Sequence, residues 1–228
     1  MDNSCTLVMA CATVIEEMLP HLPEGMHHQV FDFGLHVNPG KLRTTLQEAI
    51  DAVSGQYGTI ILGYGMCSQA VIGIKANGCR LVCPRVDDCI AIFLGSRGAY
   101  TTQCRAEPGT YYLTKGWIEV GDTPFSEYER SVERYGRERA ERIYKMMMAN
   151  YKRLALINTG QYDLEKYRNY ARSTAEQFNL KYEEIEGSDA LVKKTLFGPW
   201  DDDFVVIEPG KTFTLDQFLQ LGEGRMTK

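Results

Sequence analysis

Hydrophobic residues fall into short continuous runs that alternate with stretches of helical periodicity. Residues 6–12, 59–62 and 80–83 form such runs, and runs of this kind are typical of strands buried on both faces of a parallel sheet. Residues 30–35 predict one more strand, and we expect all four strands to be parallel in one sheet. The alternation predicts an α/β fold with one or two mostly parallel, Rossmann-like doubly wound sheets.

A charged and aromatic stretch interrupts this alternation. Residues 126–151 predict one long helix, weakened or kinked at Gly136. The expected buried side of this helix consists of Tyr128, Val132, Tyr135, Ile143 and Met147. The helix divides the chain into an N-terminal α/β lobe, residues 1–120, and a smaller C-terminal lobe with the helix, residues 121–228. The two lobes could also pack as a single domain.

Composition narrows the class of protein. The chain has 228 residues and a net charge of −5, which argues against binding to a nucleic acid backbone. No apolar run approaches the ~20 residues of a membrane span, and the acidic start lacks the features of a secretory signal. The seven cysteines include no CxxC pair, which disfavours a zinc ribbon. We therefore expect a cytoplasmic protein with reduced thiols and a small-molecule ligand.

The segment LGYGMCSQ carries the strongest local signal for chemistry. Gly63 and Gly65 follow a predicted strand and would permit a close approach by a ligand. Cys67 is expected to open a short helix, whose N-terminus would favour an anion and lower the pKa of the thiol. A tight turn with a buried cysteine is the structural alternative. The spacing is not that of a dinucleotide-binding GxGxxG motif.

A second segment, CPRVDDCIAIFLGSRGAY, follows the next strand. Asp88 is expected to cap a helix that begins near Cys89. Ser96 and Arg97 begin the following segment, where a guanidinium and backbone amides could hold an anion. Cys89 could also be an ordinary core residue, because free cysteines are often buried.

Four residues with metal-ligating side chains lie at the predicted carboxyl ends of strands: Cys11, His36, Cys67 and Cys89. Zinc binds this mixture of thiolate and imidazole, and an active zinc site keeps one open position. We expect at least three of the four to converge, with Glu17 or Asp88 accepting the imidazole N–H. The alternative is that Cys11 and Cys89 are packed core and His36 caps a turn.

Several segments together resemble the family called domain of unknown function 1638. They are ACATVIEEM, FGLHVNPGKL, YGMCSQAVIGI, PRVDDCIAIFLGSRGAY, GTYYLTKGWIE and WDDDFVVIEPG. The resemblance implies functional positions at Cys11, an acid near Glu17, His36, Cys67 and Asp88–Cys89. The family often has histidine where this chain has Asp87. Its members are associated with methylamine or corrinoid-dependent methyl transfer.

Three functions remain open on this reading of the sequence. The first is a metal-binding protein, with zinc as the metal, that acts in small-molecule thiol, amine or methyl-group metabolism. The second is an accessory module without chemistry, binding a small anion at helix N-termini near Gly63, Gly65, Ser96 and Arg97. The third is an enzyme that uses Cys67 as a nucleophile.

Overall fold

The computed structural model describes residues 5–120 and 123–219, which form two compact units. The first unit comprises the chain up to Arg97 together with the segment from Asp189 onward, and the second is Gly98–Ser188. These units differ from the 1–120 and 121–228 lobes expected from the sequence, because the end of the chain returns to the first sheet. Among the described residues, no helix is both long and apolar enough to cross a membrane.

The first unit is built on a five-stranded sheet. Its strands are β1 (Thr6–Cys11), β2 (His27–Phe31), β3 (Thr59–Gly63), β4 (Arg80–Pro84) and β8 (Phe204–Ile207). The strand order is β2-β1-β3-β4-β8. The first four strands are parallel, which confirms the prediction, and β8 runs antiparallel to β4.

Five helices complete this unit within the described residues: α1 (Ala12–Met18), α2 (Pro39–Ala52), α3 (Cys89–Phe93), α9 (Ala190–Phe197) and α10 (Leu215–Leu219). The sequence specifies α2 clearly. The Asn38 side chain accepts a hydrogen bond from the Lys41 amide and Pro39 occupies the first turn, both of which favour a helix start. Leu42, Leu46 and Ile50 follow at helical spacing and are fully buried against the sheet.

Strand β2 begins earlier than the sequence predicts. It starts at His27, so His27 and His28 belong to an exposed edge strand. The strand ends at Phe31 because the Asp32 carboxylate accepts a hydrogen bond from the Gly34 amide. That contact opens a 3₁₀ turn at Phe33–Val37, which replaces the predicted end of the strand.

The second unit has a parallel three-stranded sheet in the order β5-β6-β7. Its strands are β5 (Thr110–Leu113), β6 (Arg153–Asn158) and β7 (Lys181–Glu186), and its helices are α4 (Arg97–Ala106), α5 (Lys115–Val120), α6 (Pro124–Tyr135), α7 (Arg137–Met148) and α8 (Leu164–Gln177). Helix α4 starts at the boundary of the two units. The core of this unit contains Leu113, Leu154, Leu156 and Ala171.

The predicted long helix is a helical hairpin. Gly136 separates α6 from α7 with φ 79° and ψ 160°, a conformation that favours glycine. The rings of Tyr128 and Tyr144 lie 5.5 Å apart, whereas sixteen residues of one straight helix would span about 24 Å. The chain therefore turns back on itself at Gly136 instead of kinking.

The reversal changes which residues are buried. Tyr135 and Met147 are 44% and 49% exposed, whereas Phe125, Ala140 and Met148 are buried. The predicted buried side was wrong at those two positions. Met147 lies beyond the break at Gly136, across which a helical phase cannot be carried, and Tyr135 is the last residue of α6.

Candidate functional site

Three cysteines meet at one edge of the first sheet. Cys11 is the last residue of β1, Cys67 lies in the turn after β3, and Cys89 is the first residue of α3 after β4. Strands β1, β3 and β4 are adjacent and parallel, so their carboxyl ends share one edge. All three cysteines are half-buried residues that form no disulfide.

The three thiols lie close enough to influence one another. Burial raises the pKa of Cys67 to about 12, and the charges of Cys11 and Asp88 add to this effect. Burial also raises the pKa of Cys89, to which Cys11, Cys67 and Asp88 contribute. Near neutral pH the thiols of Cys67 and Cys89 are therefore protonated.

The described chain contains no group of three histidine, cysteine or acidic side chains arranged to hold a metal ion as they stand. The three cysteines share one edge of the sheet, and the convergence of three of the four residues to ligand distance stays a prediction. Cysteine has one side-chain torsion with three preferred rotamers, so thiols that share an edge can approach one another with little backbone movement.

Cys67 does not open a helix, contrary to the expectation from the sequence. Cys67, Ser68 and Gln69 have φ values of 47°, 54° and 67°, and the chain continues through turns up to Gly73. Residues other than glycine adopt this left-handed region at a cost, and such strain is concentrated at functional sites. No helix N-terminus lies there to lower the pKa of the Cys67 thiol. Burial raises that pKa instead.

Backbone contacts hold this strained turn in place. The Met66 and Cys67 amides donate hydrogen bonds to the carbonyls of Val86 and Asp87, at 2.8 and 2.9 Å. On the other side, the Arg43 guanidinium donates to the Gln69 carbonyl at 3.0 Å. The turn after β3 is thereby fastened to the loop after β4, which carries Cys89.

The two glycines of this segment face protein atoms. A Cβ at Gly63 would lie 2.6 Å from Ala10 Cβ, and one at Gly65 would lie 2.8 Å from the Val86 carbonyl oxygen. Both glycines therefore serve internal packing, and the expectation that Gly63 and Gly65 admit a ligand is corrected. With no helix following them, the anion site predicted at this turn loses its physical basis.

Asp88 has the predicted role at the start of α3. Its carboxylate accepts a hydrogen bond from the Ile90 amide at 2.9 Å, which is an N-cap contact. The cap fixes the backbone on both sides of Cys89. Asp87 is exposed and offers its carbonyl to the Cys67 amide.

His36 and Glu17 are placed differently from the cysteines. His36 is exposed in the 3₁₀ turn after β2, where its Nδ1 lies 2.5 Å from the Phe33 carbonyl oxygen and its ring packs on Phe33. This contact matches the alternative in which His36 belongs to a turn. Glu17 is buried in α1. A contact between the His36 imidazole and either carboxylate stays a prediction.

Ser96 and Arg97 line a small cleft of about 80 Å³ within the first unit. Arg85 and Lys194 also face this cleft, with Asp203 as an acidic neighbour. The Nε of Arg85 is buried and has no hydrogen-bond partner in the described chain. Lys194 is paired with Asp201 and Asp203, so Arg85 and Arg97 supply the positive charge of this cleft. The cleft is separate from the glycine turn with which the sequence grouped it.

Sequence reasoning missed Tyr64, which directly follows β3. Its side chain is buried at 4% exposure, and its hydroxyl has no hydrogen-bond partner among the described residues. The available signal was a tyrosine between two glycines at the same edge as Cys11.

Comparison with known proteins gives one match. The model of the family described as "Protein of unknown function (DUF1638)" matches residues 30–196. No curated protein and no solved structure matches the chain.

Proposed function

The chain belongs to the DUF1638 family, and we propose that this member binds a soft divalent metal, zinc above all, through the thiolates of Cys11, Cys67 and Cys89. The observation that carries the proposal is the meeting of three half-buried thiols at the ends of three adjacent strands. Thiolate is the ligand type that zinc prefers.

The electrostatics of the cluster favour a metal over a cysteine nucleophile. A nucleophilic cysteine needs a lowered pKa, and the pKa of Cys67 is raised to about 12. Burial is the main cause of this rise, and Cys11 and Asp88 add to it because a second negative charge nearby disfavours the thiolate. A bound dication reverses this effect, because it attracts each thiolate and offsets their mutual repulsion.

The protein would contribute rigidity to such a site. Cys11 ends a buried strand and its Sγ lies 3.0 Å from the Thr13 hydroxyl. The Asp88 cap fixes the start of α3. Hydrogen bonds join the strained turn at Cys67 to the loop between β4 and α3. The proposal does not use His36, whose ring is exposed and packs on Phe33.

The substrate class follows from the chemistry of a thiolate-bound zinc. Zinc with three protein ligands keeps a fourth position, where it acts as a Lewis acid or activates a bound thiol. We therefore propose that the protein acts in small-molecule thiol, amine or methyl-group metabolism. The family's association with corrinoid-dependent methyl transfer is consistent with this field. The proposed location is the cytoplasm, where cysteine thiols stay reduced.

A zinc titration against a competing chelator tests the proposal. The wild-type protein should bind one zinc per chain, and Cys67→Ser should bind it on the order of 100-fold more weakly, because an outer partner alone is worth 10–100-fold. Cys104→Ser is the matched control, since Cys104 is a half-buried thiol in the second unit. Equal zinc affinity in the wild type and Cys67→Ser, or no binding by either, would reject the proposal.

A second candidate function is supported by the basic cleft. Arg85 and Arg97 face the same open space, and the unpartnered Nε of Arg85 suits a phosphate or carboxylate. In this account the protein binds an anionic ligand and catalyses no reaction on it. Inorganic phosphate should then raise the melting temperature of the wild type but not that of Arg97→Gln. Arg80→Gln removes an exposed partner of Glu208 and should show the same rise in melting temperature as the wild type. An equal rise in Arg97→Gln would exclude the cleft as the phosphate-binding site.

A further inference from the structure

The Cys67 turn, residues 66–70 after β3, has a backbone conformation that needs support from other segments. Cys67, Ser68 and Gln69 are three successive residues with left-handed φ values of 47°, 54° and 67°. Residues with a side chain adopt this region at a cost in energy, so they keep it only where the surrounding structure holds them. Within the turn, the Ala70 amide donates a hydrogen bond to the Cys67 carbonyl at 3.0 Å, and further support comes from two other segments.

Residues 85–88, which join β4 to α3, hold one side of the Cys67 turn. The Met66 and Cys67 amides donate hydrogen bonds to the carbonyls of Val86 and Asp87, at 2.8 and 2.9 Å. These two contacts lie where the left-handed stretch begins. A movement of residues 85–88 therefore acts directly on the backbone of Cys67.

The same segment also forms a wall of the basic cleft. Arg85 and Val86 line the cleft, so Val86 borders it while its carbonyl accepts a hydrogen bond from the turn. The Arg85 amide donates to the Asp203 carbonyl at 2.7 Å, and its Nη2 donates to the Phe204 carbonyl at 3.0 Å. These bonds fix Arg85 at the start of β8, whereas its buried Nε has no partner in the described chain. The cleft and the Cys67 turn therefore share one structural element.

The size and charge of the cleft indicate a small anion. Its volume of about 80 Å³ is well below the ~300 Å³ at which pockets for drug-sized ligands begin. Asp203 contributes a negative charge, but Lys194 lies 2.5 Å from its carboxylate and offsets it. Arg85 and Arg97 leave the cleft positive, and guanidinium groups bind the oxygens of phosphate in a favourable geometry. A small oxyanion is the ligand class that matches these features.

We propose that a small oxyanion bound in the cleft holds residues 85–88 in place and thereby keeps the Cys67 turn closed, so that occupancy of the cleft controls access to the Cys67 thiol. This inference rests on the proposed anion-binding cleft and is independent of metal binding. A ligand that binds only the closed form lowers the population of the open form by the factor 1 + [L]/Kd. The coupling is reciprocal, so opening of the turn weakens anion binding by the same factor.

The rate at which Cys67 is alkylated reports on the opening of the turn. The full-length wild type is treated with iodoacetamide at constant pH and ionic strength, with chelator present, and the modified peptides are followed by mass spectrometry. Inorganic phosphate at ten times its measured Kd should slow the reaction of Cys67 about tenfold, and the midpoint of this effect should equal the Kd found by calorimetry. Cys104, which lies in the second unit, is the internal control and should keep its rate.

Two variants separate the cleft from the turn. Arg97→Gln changes the cleft outside residues 85–88 and should remove the effect of phosphate on Cys67. Arg43→Gln changes the other side of the turn, where the Arg43 guanidinium donates to the Gln69 carbonyl at 3.0 Å. Cys67 should then react about tenfold faster, which corresponds to the loss of one hydrogen bond to a charged group, and phosphate should still slow it.

The outcomes separate this inference from the proposed cleft. If calorimetry detects no phosphate binding to the wild type, the anion-binding cleft is rejected and this inference with it. If phosphate binds and Arg97→Gln abolishes the binding, but the rate at Cys67 in the wild type does not respond to phosphate, only the coupling is rejected. An equal slowing of Cys67 and Cys104, or a midpoint far from the Kd, would also reject the coupling.

Discussion

At the scale of single residues, Gly65 decides how the site is assembled. Its Cα faces the Val86 carbonyl and the Asp88 amide, and a Cβ would lie within 2.9 Å of both groups. The absence of a side chain lets the turn after β3 touch the loop after β4. The same contact brings Cys67 toward Cys89. The lack of a side chain at Gly65 therefore serves both the packing of the two loops and the assembly of the candidate site.

The raised pKa of Cys67 predicts that its thiol reacts slowly with alkylating agents. At pH 8 a pKa of about 12 instead of 9.0 leaves about 1000-fold less thiolate. The more basic thiolate is a better nucleophile, which recovers part of this loss. We expect iodoacetamide to alkylate Cys67 about 30-fold or more slowly than the exposed Cys5 in the presence of chelator. Peptide mass spectrometry over time measures both rates.

The pH dependence of the alkylation rate shows whether the pKa of Cys67 is raised or lowered. Because the pKa lies above the ordinary value, the alkylation rate of Cys67 should keep rising from pH 9 to pH 11, where an ordinary thiol has levelled off. Rapid alkylation at pH 7 would contradict the raised pKa and would restore the nucleophile hypothesis.

At the scale of elements, apolar runs reveal buried strands better than they reveal edges and turns. Strands β1, β3 and β4 were predictable because they are buried on both faces. The start of β2 was not, because the strand lies at an edge and exposes His27 and its neighbours. The turn at Cys67 was mistaken for a helix because its left-handed residues are not glycines and are held by contacts from distant segments.

The helical hairpin supplies a prediction at this scale. Gly136→Ala should destabilise the protein by about 1–3 kcal/mol, because φ 79° with ψ 160° is a strained conformation for alanine. Urea unfolding followed by circular dichroism measures the change. Gly40→Ala is the control, since Gly40 lies in α2, where a Cβ meets only an ordinary contact at 3.5 Å, and alanine favours a helix. Equal stabilities of the two variants would contradict the hairpin geometry.

At the scale of the whole molecule, the order of strands explains why the site was partly predictable. Three cysteines at the ends of parallel strands had to share an edge once those strands were neighbours. The return of β8 to β4 joins residues more than a hundred positions apart, which no local pattern indicates. For the same reason the hydroxyl of Tyr64 and the cleft near Arg85 became visible only in three dimensions.

The central claim is that Cys11, Cys67 and Cys89 together hold one metal ion. X-ray absorption at the zinc edge of the loaded protein measures the ligands directly. The account predicts three sulfur atoms at about 2.3 Å and one lighter ligand. A shell of only nitrogen and oxygen at about 2.0–2.1 Å would contradict it.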